Sequence, residues 1–213
     1  MTVVLGWAEL LEDHVDAEGE EALERVIQSS EQVIELTETA RDFVESLTDE
    51  SVADLKPVDL HAVVESELRT AQERHSSAHF EIAGELPAVS VQANEMLSSV
   101  FRNLLENAVR HNDSTTPHVT VSGAEHGDTV QVRVADDGPG VPDSRKDQIF
   151  GKDEKGVDSP GSGIGLYLAH TLTKQYGGAV WVEDNDPTGA VFVVELPRNT
   201  VKATEAVQNE DSP

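Results

Sequence analysis

An α+β fold, with helices on one face of a mixed sheet and a helical hairpin ahead of it, is what this sequence predicts. Three observations point there. Residues 20–47 carry apolar side chains on a seven-residue repeat. From about residue 58 to residue 197 the apolar pattern switches repeatedly between a helical period and strict alternation. At 213 residues and 38% hydrophobic content, the chain has room for one full domain plus a smaller element.

The elements follow in order. Val3, Val4, Leu5, Trp7, Ala8, Leu10 and Leu11 mark a first amphipathic helix over 3–15, which has no capping residue ahead of its apolar face. Asp16 to Gly19 reads as a short break, and a long helix is expected from Glu20 to Leu47. Val26, Val33, Ala40 and Leu47 share one heptad site; Leu36 and Phe43 share the other, which Ser29 interrupts. Such a hairpin, residues 1–48, leaves an apolar face uncovered. A second copy of the chain would cover it, as a homodimeric four-helix bundle. The polar stretch 49–57 is expected to be a connector. A helix from Leu60 to Arg74, strands at His79–Ile82 and Ala88–Val91, and a helix from Asn94 to His111 follow. Val119–Ser122 and Val130–Ala135 alternate as strands around the turn residues Gly127 and Asp128. A Gly/Pro/Asp-rich stretch from Asp136 to Gly163 contains one short helix, Ser144–Ile149. A helix from Ile164 to Tyr176 leads to a closing hairpin, Ala179–Glu183 and Val191–Leu196. The domain is thus placed at 58–197, and residues 198–213, without periodicity, are expected to be a disordered tail.

Charge narrows the function. Asp and Glu number 41 against 15 Lys and Arg, for a net charge of −26. Residues 1–55 hold 16 acids and 2 bases; the other 158 residues hold 25 and 13. So negative a surface repels phosphate backbones and anionic lipid, which argues against nucleic-acid and membrane-surface binding. Self-repulsion of this size is relieved by salt, and with only 6 lysines the composition reads as that of a high-salt, halophilic cytoplasm. No apolar run approaches the roughly 18 residues of a membrane span, and no signal-peptide pattern opens the chain, so a cytoplasmic location is expected. Absence of cysteine excludes disulfides, thiol catalysis and thiolate metal sites.

Four features carry chemistry. In Asn103-Leu-Leu-Glu-Asn107-Ala-Val-Arg110-His111, Asn103 and Asn107 lie four apart on one helix face, with Arg110 close to it. Amide oxygens suit Mg²⁺ and a guanidinium suits phosphate, so this face fits a Mg²⁺-polyphosphate. Asp136-Asp137-Gly138-Pro139-Gly140 follows a strand; its carboxylate can accept from an exocyclic amine, and its glycines permit a sharp turn and close approach. Ile149-Phe150-Gly151-Lys152 opens a Gly-rich, charged loop able to close over a ligand. Gly161-Ser162-Gly163-Ile164-Gly165-Leu166 opens a helix whose bare N–H groups form an anion site. Each alone fits an ordinary helix, turn, loop or linker equally well; order and spacing make the signal.

That arrangement resembles the ATP-binding domain of histidine kinases, within the gyrase, heat-shock chaperone and mismatch-repair ATPase superfamily, over about residues 57–197. The four features match the family's N, G1, F and G2 boxes. Gly177-Gly178-Ala179-Val180-Trp181-Val182 and Gly189-Ala190-Val191-Phe192 look like its last hairpin. The resemblance implies a Bergerat-type two-layer α/β sandwich that binds ATP and Mg²⁺. It implies that Asn107 ligates Mg²⁺ with Asn103 in support, that Arg110 contacts phosphates and that His111 lies against the nucleotide. Asp136 would accept the adenine amino group in a pocket shaped by Gly138 and Gly140. Gly161, Gly163 and Gly165, with Leu166 after them, would hold the lid hinge and phosphates, and Phe150 would anchor the lid.

The N-terminal hairpin resembles the dimerisation and phosphoacceptor domain of the same kinases, with Met1 to Leu11 like the stretch just after the phosphoacceptor motif. The family's preceding His, acidic residue and basic-Pro segment have no counterpart, so the expectation is a chain lacking its substrate histidine, as a truncated or mis-started piece. His14 is followed by Val15-Asp16, outside the family pattern, and His61, His75, His79, His118, His126 and His170 read as surface or structural residues. The expected function is a histidine-kinase core passing phosphate to a histidine and then to a response-regulator Asp. An ATPase or serine kinase would need a base at position 103, where an amide cannot take the proton; Glu106 is about 100° around the helix from Asn107. A non-catalytic, dimeric, ATP-binding interaction protein is the other alternative. Asn107→Ala should abolish Mg²⁺-dependent ATP binding in a titration, and unchanged binding would remove this site assignment.

Overall fold

Leu60, Val64, Leu68 and Ala71 recur at helical spacing and form the buried stripe of α1 (Leu60–Arg74). The helix is capped by the Asp59 carboxylate, which accepts from the Ala62 N–H at 3.1 Å. A computed structural model describes residues 55–151 and 164–199, with seven isolated helical positions: Leu11, Gly19, Leu23, Val26, Ile27, Ser30 and Thr37. The predicted 1–48 hairpin otherwise lies outside the described residues. Gly19 is helical, so the expected break at Asp16–Gly19 does not reach it.

Two further helices share the core with α1. In α2 (Leu97–Arg110), Leu97, Val100, Phe101, Leu104, Leu105 and Ala108 are buried. After the single turn α3 (Asp143–Lys146) comes α4 (Ile164–Gln175), with Leu168, Ala169 and Leu172 at 0% exposure. These helices cover one face of a five-stranded sheet of β2 (His79–Ile82), β4 (His118–His126), β5 (Thr129–Asp136), β7 (Ala190–Pro197) and β6 (Ala179–Asp184), in the spatial order β2-β4-β5-β7-β6. β2 runs parallel to β4, and the other pairs are antiparallel, so the sheet is mixed, as expected. Val130, Val132 and Val134 of β5 point to the helices. Burying each such side chain contributes about 1.5–3 kcal/mol.

The opposite sheet face has a small cover of its own. Val193, fully buried, lies in register between Arg133 and Trp181. The Glu183 carboxylate accepts from Trp181 Nε1 and from Arg133 Nη2, each at 2.7 Å, and ties the two together beside it.

Several boundaries differ from the sequence reading: β4 runs on to His126 instead of ending at Ser122, α2 starts at Leu97 instead of Asn94, and the short helix covers Asp143–Lys146 instead of Ser144–Ile149. Lys56 and Pro57, read as connector, belong to β1 (Lys56–Asp59), which pairs antiparallel with β3 (Ser90–Ala93). The same pairing moves β3 two residues beyond the expected Ala88–Val91. Arg198 and Asn199, read as tail, are tied down: their N–H groups donate to the carbonyls of Asp128 and Ser90, each at 2.8 Å. The rest of the predicted tail lies outside the described residues. Between the two sheets, the buried Tyr176 hydroxyl donates to Asn94 Oδ1 at 2.5 Å, and burial pushes its pKa up.

Candidate functional site

The two-residue period of β5 puts Asp136 on the same face as Val130, Val132 and Val134, but at the strand's end where the helices leave room. Its side chain is 7% exposed. Oδ1 accepts from the N–H of Gly138 at 3.0 Å and of Ala190 at 3.2 Å. Among the described residues Oδ2 has no hydrogen-bond partner, which leaves one carboxylate oxygen for a ligand. Burial holds the pKa above the usual carboxylate value; the two N–H groups oppose this, and neighbouring Asp137 adds to it.

The turn after β6 clasps Asp136 from behind. Asn185 Nδ2 donates to the Asp136 carbonyl at 2.8 Å. Gly189 has φ +117° and lies so close to that carbonyl that any Cβ would collide with it. Gly140, at φ +75°, packs in turn on the Gly189 carbonyl. Gly138 lies against Asp136 and Asn112. Asp137, by contrast, is exposed, and its Oδ1 accepts from the His118 N–H at 3.0 Å and Asn112 Nδ2 at 2.7 Å. These bonds outweigh desolvation and hold its carboxyl below the usual range.

Along α2, Asn103 and Asn107 share a face as the spacing predicts. Asn103 Nδ2 donates to the Ser99 carbonyl at 2.7 Å. Its Oδ1 lies against Gly165 at the start of α4, where a Cβ would collide. Gly165 is therefore needed for close packing of two helices as well as for any hinge. The half-buried Asn107 side chain has no hydrogen-bond partner among the described residues. His111 caps the helix end, its N–H donating to the Asn107 carbonyl at 3.1 Å. Partial desolvation, and then the Arg110 and Arg145 cations, lower its pKa and favour the neutral ring. Glu106 is committed elsewhere, to His75 at 2.7 Å and Arg74 at 3.5 Å. Those partners outweigh its desolvation and keep it ionised.

Phe150 is buried, stacked on His170 with ring centroids 5.8 Å apart and edge-on to Phe192 at 6.4 Å. It fixes the chain just ahead of residue 152 to α4 and β7. Leu166 is half-buried against the core. Gly161 and Gly163 lie outside the described residues. Asn112, Asn185 and Arg145 escape sequence reading. The polar run Asp184-Asn-Asp-Pro-Thr-Gly189 signals a turn but not what it touches. Among the described residues no group of three or more His, Asp and Glu could hold a metal, and no helix is long and apolar enough to cross a membrane.

Residues 92–200 match the family of Histidine kinase-, DNA gyrase B-, and HSP90-like ATPases. The sensor histidine kinase DpiB of Escherichia coli (strain K12) is 39% identical over 109 residues, 47% of this chain and 19% of that protein. The chain thus spans well under half of that curated relative. Full-length ShkA, solved in complex with AMPPNP, has a TM-score of 0.64 at 26% identity, covering 92% of this chain and 42% of that one. Histidine kinase ThkA, solved in complex with response regulator protein TrrA, is alike in fold, with a TM-score of 0.63 at 18% identity over 92% of this chain and 57% of that one.

A carboxyl whose folded pKa is raised binds its proton more tightly in the fold than in the unfolded chain. Its contribution to stability therefore falls as pH rises from the ordinary carboxyl value through the raised one. Asp136→Asn keeps the Oδ1 acceptor and removes the charge. The variant should melt at neutral pH no lower than the parent and lose that part of the pH slope, while ATP affinity drops more than about tenfold. Thermal melts against pH, with a nucleotide titration, check both; undiminished ATP binding would contradict the assignment.

Proposed function

Because this chain belongs to the family of histidine kinase-, DNA gyrase B-, and HSP90-like ATPases, we propose that it is the catalytic core of a two-component histidine kinase. It binds Mg-ATP and transfers the γ-phosphoryl group to a histidine, from which a response-regulator Asp takes it. The observation that carries the nucleotide reading is the Asp136 carboxylate, buried, fixed through Oδ1 by two N–H groups and open at Oδ2. Such an acceptor suits the adenine amino group. The ShkA complex with AMPPNP supports the same reading.

Roles follow for the remaining residues. Asn107 holds Mg²⁺ through its amide oxygen and Asn103 steadies that face; the donor set fits, since Mg²⁺ takes one or two protein oxygens and completes its shell with phosphates and water. The ion neutralises phosphate charge when bound. Arg110 binds phosphates, neutral His111 lies against the nucleotide, Gly138 and Gly140 shape the base pocket, and Phe150 anchors the lid that carries Gly161 and Gly163. Leu166 supports the lid's far end from the core. Catalysis then rests on positioning and charge stabilisation.

The ThkA–TrrA complex supports a response regulator as partner. We read the 1–48 segment as dimerising; Val26, helical and 47% exposed, supports an apolar face that a second copy covers. A cytoplasmic, high-salt setting is our reading of the −26 charge. The acceptor histidine is none of the eight here. The seven in the described domain serve its structure or the nucleotide site, and His14 is outside the family pattern. Glu106, held by His75 and Arg74, counts against an ATPase or serine kinase.

Incubation with γ-labelled ATP and Mg²⁺ in molar KCl tests this, following protein-bound label and free phosphate together. We expect ATP binding, no label on the chain itself, and acid-labile, alkali-stable label on an added helical hairpin bearing the family's phosphoacceptor motif. Steady release of free phosphate without the hairpin favours the ATPase reading. Binding with no label, even with the hairpin, favours the non-catalytic interaction protein.

A further inference from the structure

His79 opens β2 and His118 opens β4, and the two stand opposite each other in the parallel register of those strands. Successive strand residues point to opposite faces. Phe80, Val119 and Val121 go to the core beneath the helices, so both histidines lie on the sheet face that the helices leave open. Both are exposed, and neither ring fills the core. Two residues along the same face, the Thr120 hydroxyl donates to Glu81 Oε1 at 3.2 Å, so the register brings side chains of these two strands together.

The backbone holds both rings in place. The His79 N–H donates to the Pro117 carbonyl at 2.7 Å, and the His118 N–H donates to Asp137 Oδ1 at 3.0 Å. The ring centroids are 4.7 Å apart and the ring planes cross at 48°. Two imidazoles sharing one zinc ion, at about 2.0–2.1 Å per Zn–N bond and a tetrahedral angle, have centroids roughly 5 Å apart. The pair therefore already has the separation that one shared ion requires. Imidazole nitrogen suits Zn²⁺, Ni²⁺ and Cu²⁺, whereas Mg²⁺ and Ca²⁺ take oxygen ligands. A chain of net charge −26, with the Asp137 carboxylate beside His118, attracts a dication. Among the described residues no third His, Asp or Glu completes a metal-holding group, so water fills the remaining positions and the site is open.

We propose that His79 and His118 form a chelating pair for a divalent transition-metal ion of the zinc class, on the open face of the sheet. This ion is distinct from the Mg²⁺ proposed at Asn107, because imidazole and amide oxygen select different metals. The pair stands apart from the nucleotide reading and does not depend on it.

Calorimetric titration of the full chain with Zn²⁺ tests this, in molar KCl and excess Mg²⁺ so that surface carboxylates are screened or occupied. One ion should bind per chain, and His79→Asn and His118→Asn should each weaken it about tenfold or more. His61→Asn, which removes the ring beside Glu65 on α1, should change nothing. Thermal melts give a second readout, since an ion that binds only the folded chain raises its Tm. Zn²⁺ should raise the Tm of the parent and of His61→Asn but not of the other two variants, whose Tm without metal should match the parent's. No saturable Zn²⁺ binding by the parent would overturn the proposal. So would undiminished binding in His79→Asn or His118→Asn, or an equal loss in His61→Asn.

Discussion

The two N–H groups that Gly138 and Ala190 aim at one oxygen of Asp136 are the constraint from which the rest of this site follows. A carboxylate almost removed from water costs several kcal/mol unless its lone pairs are met. Here the bonds come from two separate segments, the loop after β5 and the first residue of β7. Neither can move without leaving the charge short of a partner. The same crossing explains Gly189, whose Cβ would strike the Asp136 carbonyl, and Gly140, which must lie on Gly189. It also explains Asn185, which satisfies that carbonyl. Rigidity at one oxygen keeps the other oriented, and an acceptor that need not reorganise discriminates best between ligands.

From this clamp the chain runs into α3 and Phe150, and from there into the loop that the sequence marks as able to close. Lys146 and the two ring contacts of Phe150 bind that path to β6, β7 and α4. The Asp136 clamp and Phe150, the proposed anchor of the lid, thus share one scaffold. On the other side, Asn103 packs against Gly165, which brings the proposed metal-binding face of α2 against the start of α4. Helix packing and the proposed phosphate contact fall on the same glycine.

Much of this was legible in the residues. Long periodic segments such as Leu60–Arg74 and Ile164–Gln175 declare themselves because one face must be buried. Asp136 declares itself through strand parity and the glycines after it. What escaped depends on distant pairing. Lys56-Pro-Val-Asp59 has little strand propensity of its own, and it becomes a strand because Ser90–Ala93 offers a partner. Polar Arg198 and Asn199 look like tail until the carbonyls of Asp128 and Ser90 receive their N–H groups. Asn112 and Asn185 sit in turns that composition identifies, yet their contacts with Asp137 and Asp136 join segments far apart in sequence.

The most direct measurement compares the affinity of the chain for ATP with that for inosine triphosphate, which has the same phosphates and ribose but a carbonyl oxygen where adenine has its amino group. A carboxylate that accepts from that amine repels the oxygen, so ATP should bind more than about tenfold tighter, as a site built around one hydrogen bond rejects an analogue that lacks it. Equal affinity for the two nucleotides would contradict the account, since Asp136 would then not read the base.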